Sequence, residues 1–336
     1  MANALPSKQT AVLFNTKDNT LSITESAPIP SSTTEHLIKV HSTAITNGEL
    51  TWAPFCPDWP ALHVPCYDVS GTIVSTLPNS KFTMGDRVYG RVHAGREGTA
   101  RQYATILSSE TAMIPQGIDM TTAACVPMSA LTAWQAVFEQ GALSAVPYVS
   151  DAGDVVGGQA RGKRVLVLGA AGGVGLMAVQ FAKLAGTFVA GTAGPKNREF
   201  VLGLGVDEVV DYTTTSMEAW VSGSEDRKFD LVFDCAGGKS MLDGWNAVKK
   251  DGVYVSVVPG FKEPEGGKPE GMRSAWFVME SRGEELEAIG RFIEKGLVRT
   301  WVDSVWKIEE FEEAFAKTAT GHARGKVVIK VAEDEA

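Results

Sequence analysis

Cysteine is scarce. Cys56, Cys66, Cys125 and Cys235 are the whole complement of a 336-residue chain. Their spacing forms neither the dense framework of a small secreted domain nor the paired C-x-x-C of a structural zinc site, so they read as reduced thiols filling apolar gaps. Uncharged apolar runs long enough to span a bilayer are also missing, which argues against a membrane protein. No block of Lys or Arg exceeds a pair, and 31 basic against 40 acidic residues leave a formal charge of −9. Nothing here makes a basic footprint for nucleic acid or anionic lipid. The opening stretch from Met1 to Lys8 has no basic segment followed by an apolar one, so no secretory signal is expected and the cytoplasm is the expected location. No internal repeat is found.

What is present is ordinary for a globular protein, with 44% apolar and 21% charged residues, and the length suits two domains. From Lys163 onward, short apolar runs alternate with helix-compatible stretches. Strands are predicted at 164–168, 188–191, 208–210, 230–234 and 253–258, with helices over 176–184, 197–204 and 241–249. This alternation is the pattern of βαβ units, and it predicts an α/β fold with a doubly wound parallel sheet. The first 125 residues instead carry Pro and Gly between short extended segments, as in a mostly antiparallel β domain. Loops are predicted at 147–161 and 260–271. A helix over 284–295, another over 309–317 and a strand at 327–330 follow, which could extend the sheet or return to the first domain.

The strand at Val165 runs into Gly169-Ala170-Ala171-Gly172-Gly173-Val174-Gly175 and then a helix. Glycines at such a turn let the backbone approach a pyrophosphate, whose charge is met by free N–H groups and the positive end of the helix dipole. Gly169, Gly172, Gly173, Val174 and Gly175 are therefore candidate dinucleotide contacts. An NAD-selective site places Asp or Glu at the end of the second strand for the ribose hydroxyls. This chain has Gly191-Thr192-Ala193-Gly194 there, with Lys196 and Arg198 in reach of a 2′-phosphate and Tyr212 just past the third strand. NADPH is the expected cofactor. The alternative is that both cations are simply solvated at a helix start. Trp52, Phe55, Trp59 and Trp276 are candidates for an aromatic pocket suited to a small hydrophobic substrate, although aromatics also fill ordinary cores.

Several blocks in order carry a resemblance: 65–71 (PCYDVSG), 85–90 (GDRVYG), 131–134 (LTAW), the glycine turn, Asp211-Tyr212, 233–238 (FDCAGG) and 325–328 (GKVV). The chain resembles the medium-chain dehydrogenase/reductase superfamily, within it the zinc-independent quinone oxidoreductase and enoyl reductase-like branch. The resemblance implies a GroES-like catalytic domain built from both chain ends, 1–128 and 273–336, an inserted Rossmann domain over 129–272, and an active site in the cleft that the two form. The superfamily includes dimers paired through the Rossmann sheet edge, so a homodimer is one of the open alternatives for the oligomeric state. Zinc-using members place a Cys near Thr46-Asn47, a His-Glu pair at Tyr67-Asp68 and four clustered cysteines after the Gly-Asp-Arg-Val block. The residues here supply none of these, so no metal site is expected. His41, His63 and His93 are too scattered to rebuild one.

By the same resemblance Tyr67 faces the nicotinamide and donates a hydrogen bond or a proton to the substrate, or else shapes the pocket wall. Thr132, Val257, Val258, Trp276, Phe277 and Lys326 are implied near the cofactor. The expected reaction is hydride transfer from NADPH to a carbon already activated by conjugation, in an enone, enal or quinone. The role is detoxifying or belongs to secondary metabolism. One alternative is a trans-acting enoyl reductase partnering a polyketide synthase, although Thr51 stands where such proteins often carry lysine. A protein that binds NADPH without turnover is the other.

Overall fold

The computed structural model describes residues 5–141, 143 and 146–332. The ends of the expected domain ranges, 1–4 and 333–336, lie outside it. Two compact units emerge: the described parts of 1–128, 280–294 and 300–336 form one, and those of 129–279 and 295–299 the other.

In the second unit six parallel strands stand in the order 208–211, 188–193, 164–168, 229–234, 248–256 and 273–276. Numbered along the chain this is 3-2-1-4-5-6, the doubly wound dinucleotide-binding order. Val165, Leu166, Val167 and Leu168 are all buried at the sheet centre, because a parallel strand is covered on both faces. The helix Gly173–Leu184 packs its Leu176, Met177, Val179 and Phe181 inward. Trp134 is buried with edge contacts to Phe138 and Phe181, at 4.6 and 5.2 Å between centroids.

Three sequence expectations are corrected here. The sheet has a sixth strand, Arg273–Trp276, paired with Val253–Ser256, so the boundary expected after residue 272 moves to after Met279. The fifth strand starts at Val248, and the helix before it ends at Gly244. The stretch predicted as a plain loop at 147–161 contains a small hairpin, Tyr148–Val149 with Val155–Val156.

In the first unit a seven-stranded sheet runs through 302–307, 326–330, 36–44, 68–75, 87–91 and 111–113, with 103–106 also on 36–44. The last strand thus joins the N-terminal sheet. Ala44 lies opposite both Val328 and Asp68, and Asp68 lies opposite Arg91. Residues in such a row share a face, so this register carries the C-terminal strand, Asp68 and Arg91 into one neighbourhood. The helices Gly283–Glu294 and Phe311–Ala319 cover this unit; Gly283 is required because a Cβ there would lie 2.4 Å from the Thr111 carbonyl oxygen. Among the described residues no helix is long and apolar enough to cross a membrane.

Candidate active site residues

The glycine turn is built to bring backbone close to a ligand. Gly169 has φ +84°, and its N–H donates to Thr192 Oγ1 at 2.9 Å. A Cβ on Gly175 would lie 2.1 Å from the Gly169 carbonyl oxygen, so only glycine lets the helix start so near the strand end. Gly172 is the N-cap of that helix and no side chain caps it, which leaves its first N–H groups for an anion. This cradle fits the pyrophosphate of a dinucleotide.

At the end of Phe188–Ala193 there is no carboxylate. Asp211, opposite Ala193, is occupied by the Thr213 N–H and hydroxyl at 2.9 and 2.6 Å. Tyr212 packs over Gly194: a Cβ built there would be 3.5 Å from its hydroxyl. Lys196 lies in the short turn Pro195–Asn197, and Arg198 pairs with its exposed neighbour Glu199 at 2.9 Å. Thr132 is buried. Val257 and Val258 extend past the fifth strand, where the Trp276 indole N–H donates to the Val258 carbonyl at 2.9 Å and the Phe277 N–H to that of Ser256 at 3.3 Å.

In the first unit the chain reaches Tyr67 through strain. Cys66, a non-glycine residue, has φ +65°, a conformation that costs about 1–3 kcal/mol and persists only where the surroundings impose it. They do so here. The Cys66 N–H donates to Glu49 Oε1 at 2.8 Å, its carbonyl accepts from the Thr99 N–H at 2.8 Å, and Glu49 Oε2 accepts from the Thr46 N–H at 2.8 Å. Burial pushes the Glu49 carboxyl up to about 7, against these N–H groups and Lys326.

Tyr67 itself is fully buried, and its hydroxyl is 2.8 Å from His63 Nε2. His63 stacks on Trp59 at 4.0 Å, and its Nδ1 lies 3.8 Å from Glu97 without a hydrogen bond. Burial, with Arg101 nearby, lowers the His63 imidazole to about 4, so it is neutral at pH 7. Trp52 stacks on Tyr67 at 5.6 Å, and the Arg91 guanidinium lies 5.9 Å from the same ring. Of the four aromatics proposed from sequence, Trp52 and Trp59 therefore meet around Tyr67 and His63. Phe55 is 74% exposed, and Trp276 belongs to the other unit. An open depression of about 810 Å³ beside this cluster is lined by Leu50, Ala53, Pro54, Cys56 and Trp59 among others.

Lys326 is the residue whose surroundings say most. Its ammonium forms an ion pair with Asp68 Oδ2 at 2.9 Å and donates to Thr46 Oγ1 at 3.1 Å. The other Asp68 oxygen accepts from the Met128 N–H at 2.6 Å. Burial raises the Asp68 carboxyl, and Lys326 is the largest opposing influence. Thr46, Tyr67 and Asp68 are the positions at which the resemblance implies ligands in zinc-using members, and here a cation of the chain itself pairs with the one acid among them. Among the described residues no three His, Cys, Asp or Glu gather so as to hold a metal ion. This donor set does not fit zinc.

Sequence reading missed Glu49, Glu97, the partnership of Asp68 with Lys326, the burial of Arg91 and the bond from His63 to Tyr67. Only the positions of the acids were visible, since apart from Thr46 beside Glu49 their partners come from segments distant in sequence.

Comparison with known proteins agrees with this architecture. Residues 32–130 match the alcohol dehydrogenase GroES-like domain and residues 204–329 the family described as zinc-binding dehydrogenase. A probable zinc-binding oxidoreductase, mitochondrial, from Arthroderma benhamiae is 42% identical over 88% of both chains. A chloroplast envelope quinone oxidoreductase homolog from Arabidopsis thaliana is 32% identical over 80% of this chain and 79% of its own. The quinone oxidoreductase structure from Coxiella burnetii, at 24% identity, superposes with a TM-score of 0.80 over 97% of this chain and all of that one, a likeness of fold. The chain belongs to the medium-chain dehydrogenase/reductase superfamily, in its quinone oxidoreductase-like branch. The cytoplasmic expectation draws no support from relatives named for mitochondria and chloroplasts.

Proposed function

We propose that this chain is an NADPH-dependent, zinc-independent reductase that delivers hydride to an activated C=C or a quinone in a small hydrophobic molecule. The observation that carries the reading is the Lys326 ammonium on Asp68 and Thr46, at 2.9 and 3.1 Å. A donor set unsuited to zinc offers no Lewis acid for an isolated carbonyl, so conjugation in the acceptor must provide the electrophile. The quinone oxidoreductase named among the relatives supports an acceptor of that kind.

The nicotinamide, when bound, supplies the hydride. The chain's own part begins at the glycine turn, where the uncapped helix start holds the pyrophosphate. The second strand ends in Thr192, Ala193 and Gly194 with Lys196, Arg198 and Tyr212 beside it, a surrounding that accepts a 2′-phosphate rather than repelling it. In the first unit Tyr67 is the proton donor to the reduced acceptor. Burial raises its phenol above the ordinary range, so it stays protonated at neutral pH, and His63 fixes its hydroxyl.

The test is NADPH oxidation across a panel of quinones, enals and enones, run with and without chelator and repeated with NADH. Turnover with NADPH, unchanged by chelator, is expected. Stoichiometric zinc required for activity, or a preference for NADH, overturns the reading. Turnover of carrier-bound thioesters alone would make the chain a trans-acting enoyl reductase, and binding without oxidation a non-catalytic NADPH-binding protein.

A further inference from the structure

Arg91 is a buried cation that makes no direct ion pair among the described residues, although Asp68 and Glu110 lie near enough to act on its charge. Its side chain is 2% exposed, and Nη1 donates to Ser281 Oγ at 3.2 Å. Nε is buried and has no hydrogen-bond partner. The nearby carboxylates are bonded to other cations: Asp68 to Lys326, and Glu110 to Arg96, which Glu35 shares. A charge removed from water and left unpaired is costly, whereas the same group facing an anion is strongly favourable. The Nε of Arg101 and of Arg164 is unpartnered too; an orphaned buried donor calls for an explanation, and for Arg91, with Tyr67 beside it, a ligand atom supplies one.

Asp68 and Lys326 cancel, and Tyr67 and His63 are neutral at pH 7. Burial holds Arg91 somewhat below its usual value, with Asp68 and Glu110 opposing that shift, and a guanidinium remains charged throughout. Glu49, its carboxyl pushed up to about 7, and Glu97, 3.8 Å from His63, are further acids here; Glu49 accepts from the Cys66 and Thr46 N–H groups and Glu97 from the Val64 N–H. Arg91 therefore feels carboxylates nearby, but its Nε–H has no direct partner.

Resting on the reductase reading, we propose that Arg91 is the electrophile of this site, its free Nε–H binding the carbonyl or quinone oxygen of the acceptor as that oxygen becomes negative. A bound reduced nicotinamide would supply the hydride, its C–H bond breaking as one forms at the acceptor carbon, and the π pair of the conjugated system would move onto the oxygen. Arg91 gives up no proton. It balances the new charge until a proton from Tyr67, replaced from water, completes the reduced product. A preorganised donor aimed at developing charge in a water-poor setting does here what a metal does in zinc-using relatives.

Arg91→Gln and Arg91→Met test this, with Arg91→Lys as the variant that keeps the charge and loses the fork. Steady-state kinetics with an enone should show kcat reduced about 100-fold or more in the Gln and Met variants, with NADPH affinity unchanged by fluorescence titration. Benzoate, a carboxylate standing for the charged oxygen, should compete with the acceptor and raise the wild-type Tm, while benzamide should not. Neither Arg91→Met nor Arg91→Gln should respond to benzoate. Without ligand, Arg91→Met should be at least as stable as wild type, because a buried unpaired charge has been removed. Wild-type kcat in Arg91→Gln or Arg91→Met, or benzoate binding that survives the loss of Arg91, overturns the proposal and leaves the reductase reading standing. If wild type reduces no acceptor, that reading falls. Benzoate binding then decides the anion site alone, loss in Arg91→Met upholding it and absence in wild type ending it.

Discussion

Replacing Lys326 by Met removes the ammonium from the buried pair while keeping most of the chain length of the side chain. Asp68 is left with the Met128 N–H at 2.6 Å and Arg91 in the next strand, which does not pair with it. Breaking a buried pair by deleting one partner costs about 3–5 kcal/mol, because the other charge remains out of water. For a unit of this size that corresponds to a fall in Tm of roughly 6–20 °C. The pH dependence identifies the cause. Burial already raises Asp68 above the ordinary carboxylate range, and Lys326 is the largest influence holding it down. Without Lys326 the carboxyl rises further, so the folded variant binds a proton that the unfolded chain has released. Stability linked to such a group is present below the unfolded pKa of about 3.9 and is lost as pH rises through the folded pKa. The gap between Lys326→Met and wild type should therefore be small near pH 4 and widest at neutral pH and above. Thermal unfolding by circular dichroism from pH 4 to 8 measures it. Adding Asp68→Asn should restore most of the loss, since the amide oxygen still accepts from Met128. A single variant as stable as wild type at pH 7, or a double variant no better than the single, refutes the reasoning.

Glu49 gives a check of the same sign in the wild type: with its carboxyl pushed up to about 7, stability should decline by about 3 kcal/mol as pH rises from the ordinary carboxylate range to 7. Glu49→Gln should flatten that slope in denaturant titrations, while losing one of its two backbone bonds. Gly194→Asp should be tolerated, since Gly194 has φ −75° and the new Cβ meets Tyr212 at ordinary contact distance. It should lower kcat/KM for NADPH at least about tenfold by repelling the 2′-phosphate, with little effect on NADH; equal losses for both would show that the phosphate is not bound there. Gly175→Ala forces a Cβ to 2.1 Å from a carbonyl oxygen, so calorimetry should find weaker dinucleotide binding and unfolding should show a loss of about 1–3 kcal/mol.

The sequence showed the parallel sheet because its central strands are continuous apolar runs, and a chain covered on both faces has no polar residues to confuse the period. The sixth strand escaped notice for the opposite reason. Arg273-Ser274-Ala275-Trp276 is short, half polar and lies at the sheet edge. The fifth strand looked shorter than it is because Lys249, Lys250 and Asp251, at its solvated start, read as a helix end. The hairpin within 147–161 has strands of two residues each, too short for any periodicity to register.

The glycine turn was legible for a related reason: strand, turn and helix are contiguous, so each requirement is met by a neighbour in sequence. The chemistry of the first unit is not local in that way. Lys326 reaches Asp68 only because Ala44, small and placed between Val328 and Asp68, brings the last strand alongside. Arg91 looks like any strand-end arginine until the register sets it opposite an acid that is already spoken for. The informative fact about Arg91 is thus a missing partner, a property of the assembled unit that no spacing in the chain encodes. The same holds for Tyr67, whose position was readable from the surrounding motif while its burial against His63 was not. A hydroxyl enclosed in this way reaches an acceptor only when Trp52, stacked on its ring, shifts. Trp52→Ala should therefore raise the rate of acceptor reduction for bulky quinones relative to small enones in stopped-flow measurements, and an equal change for both would show that Trp52 does not control access.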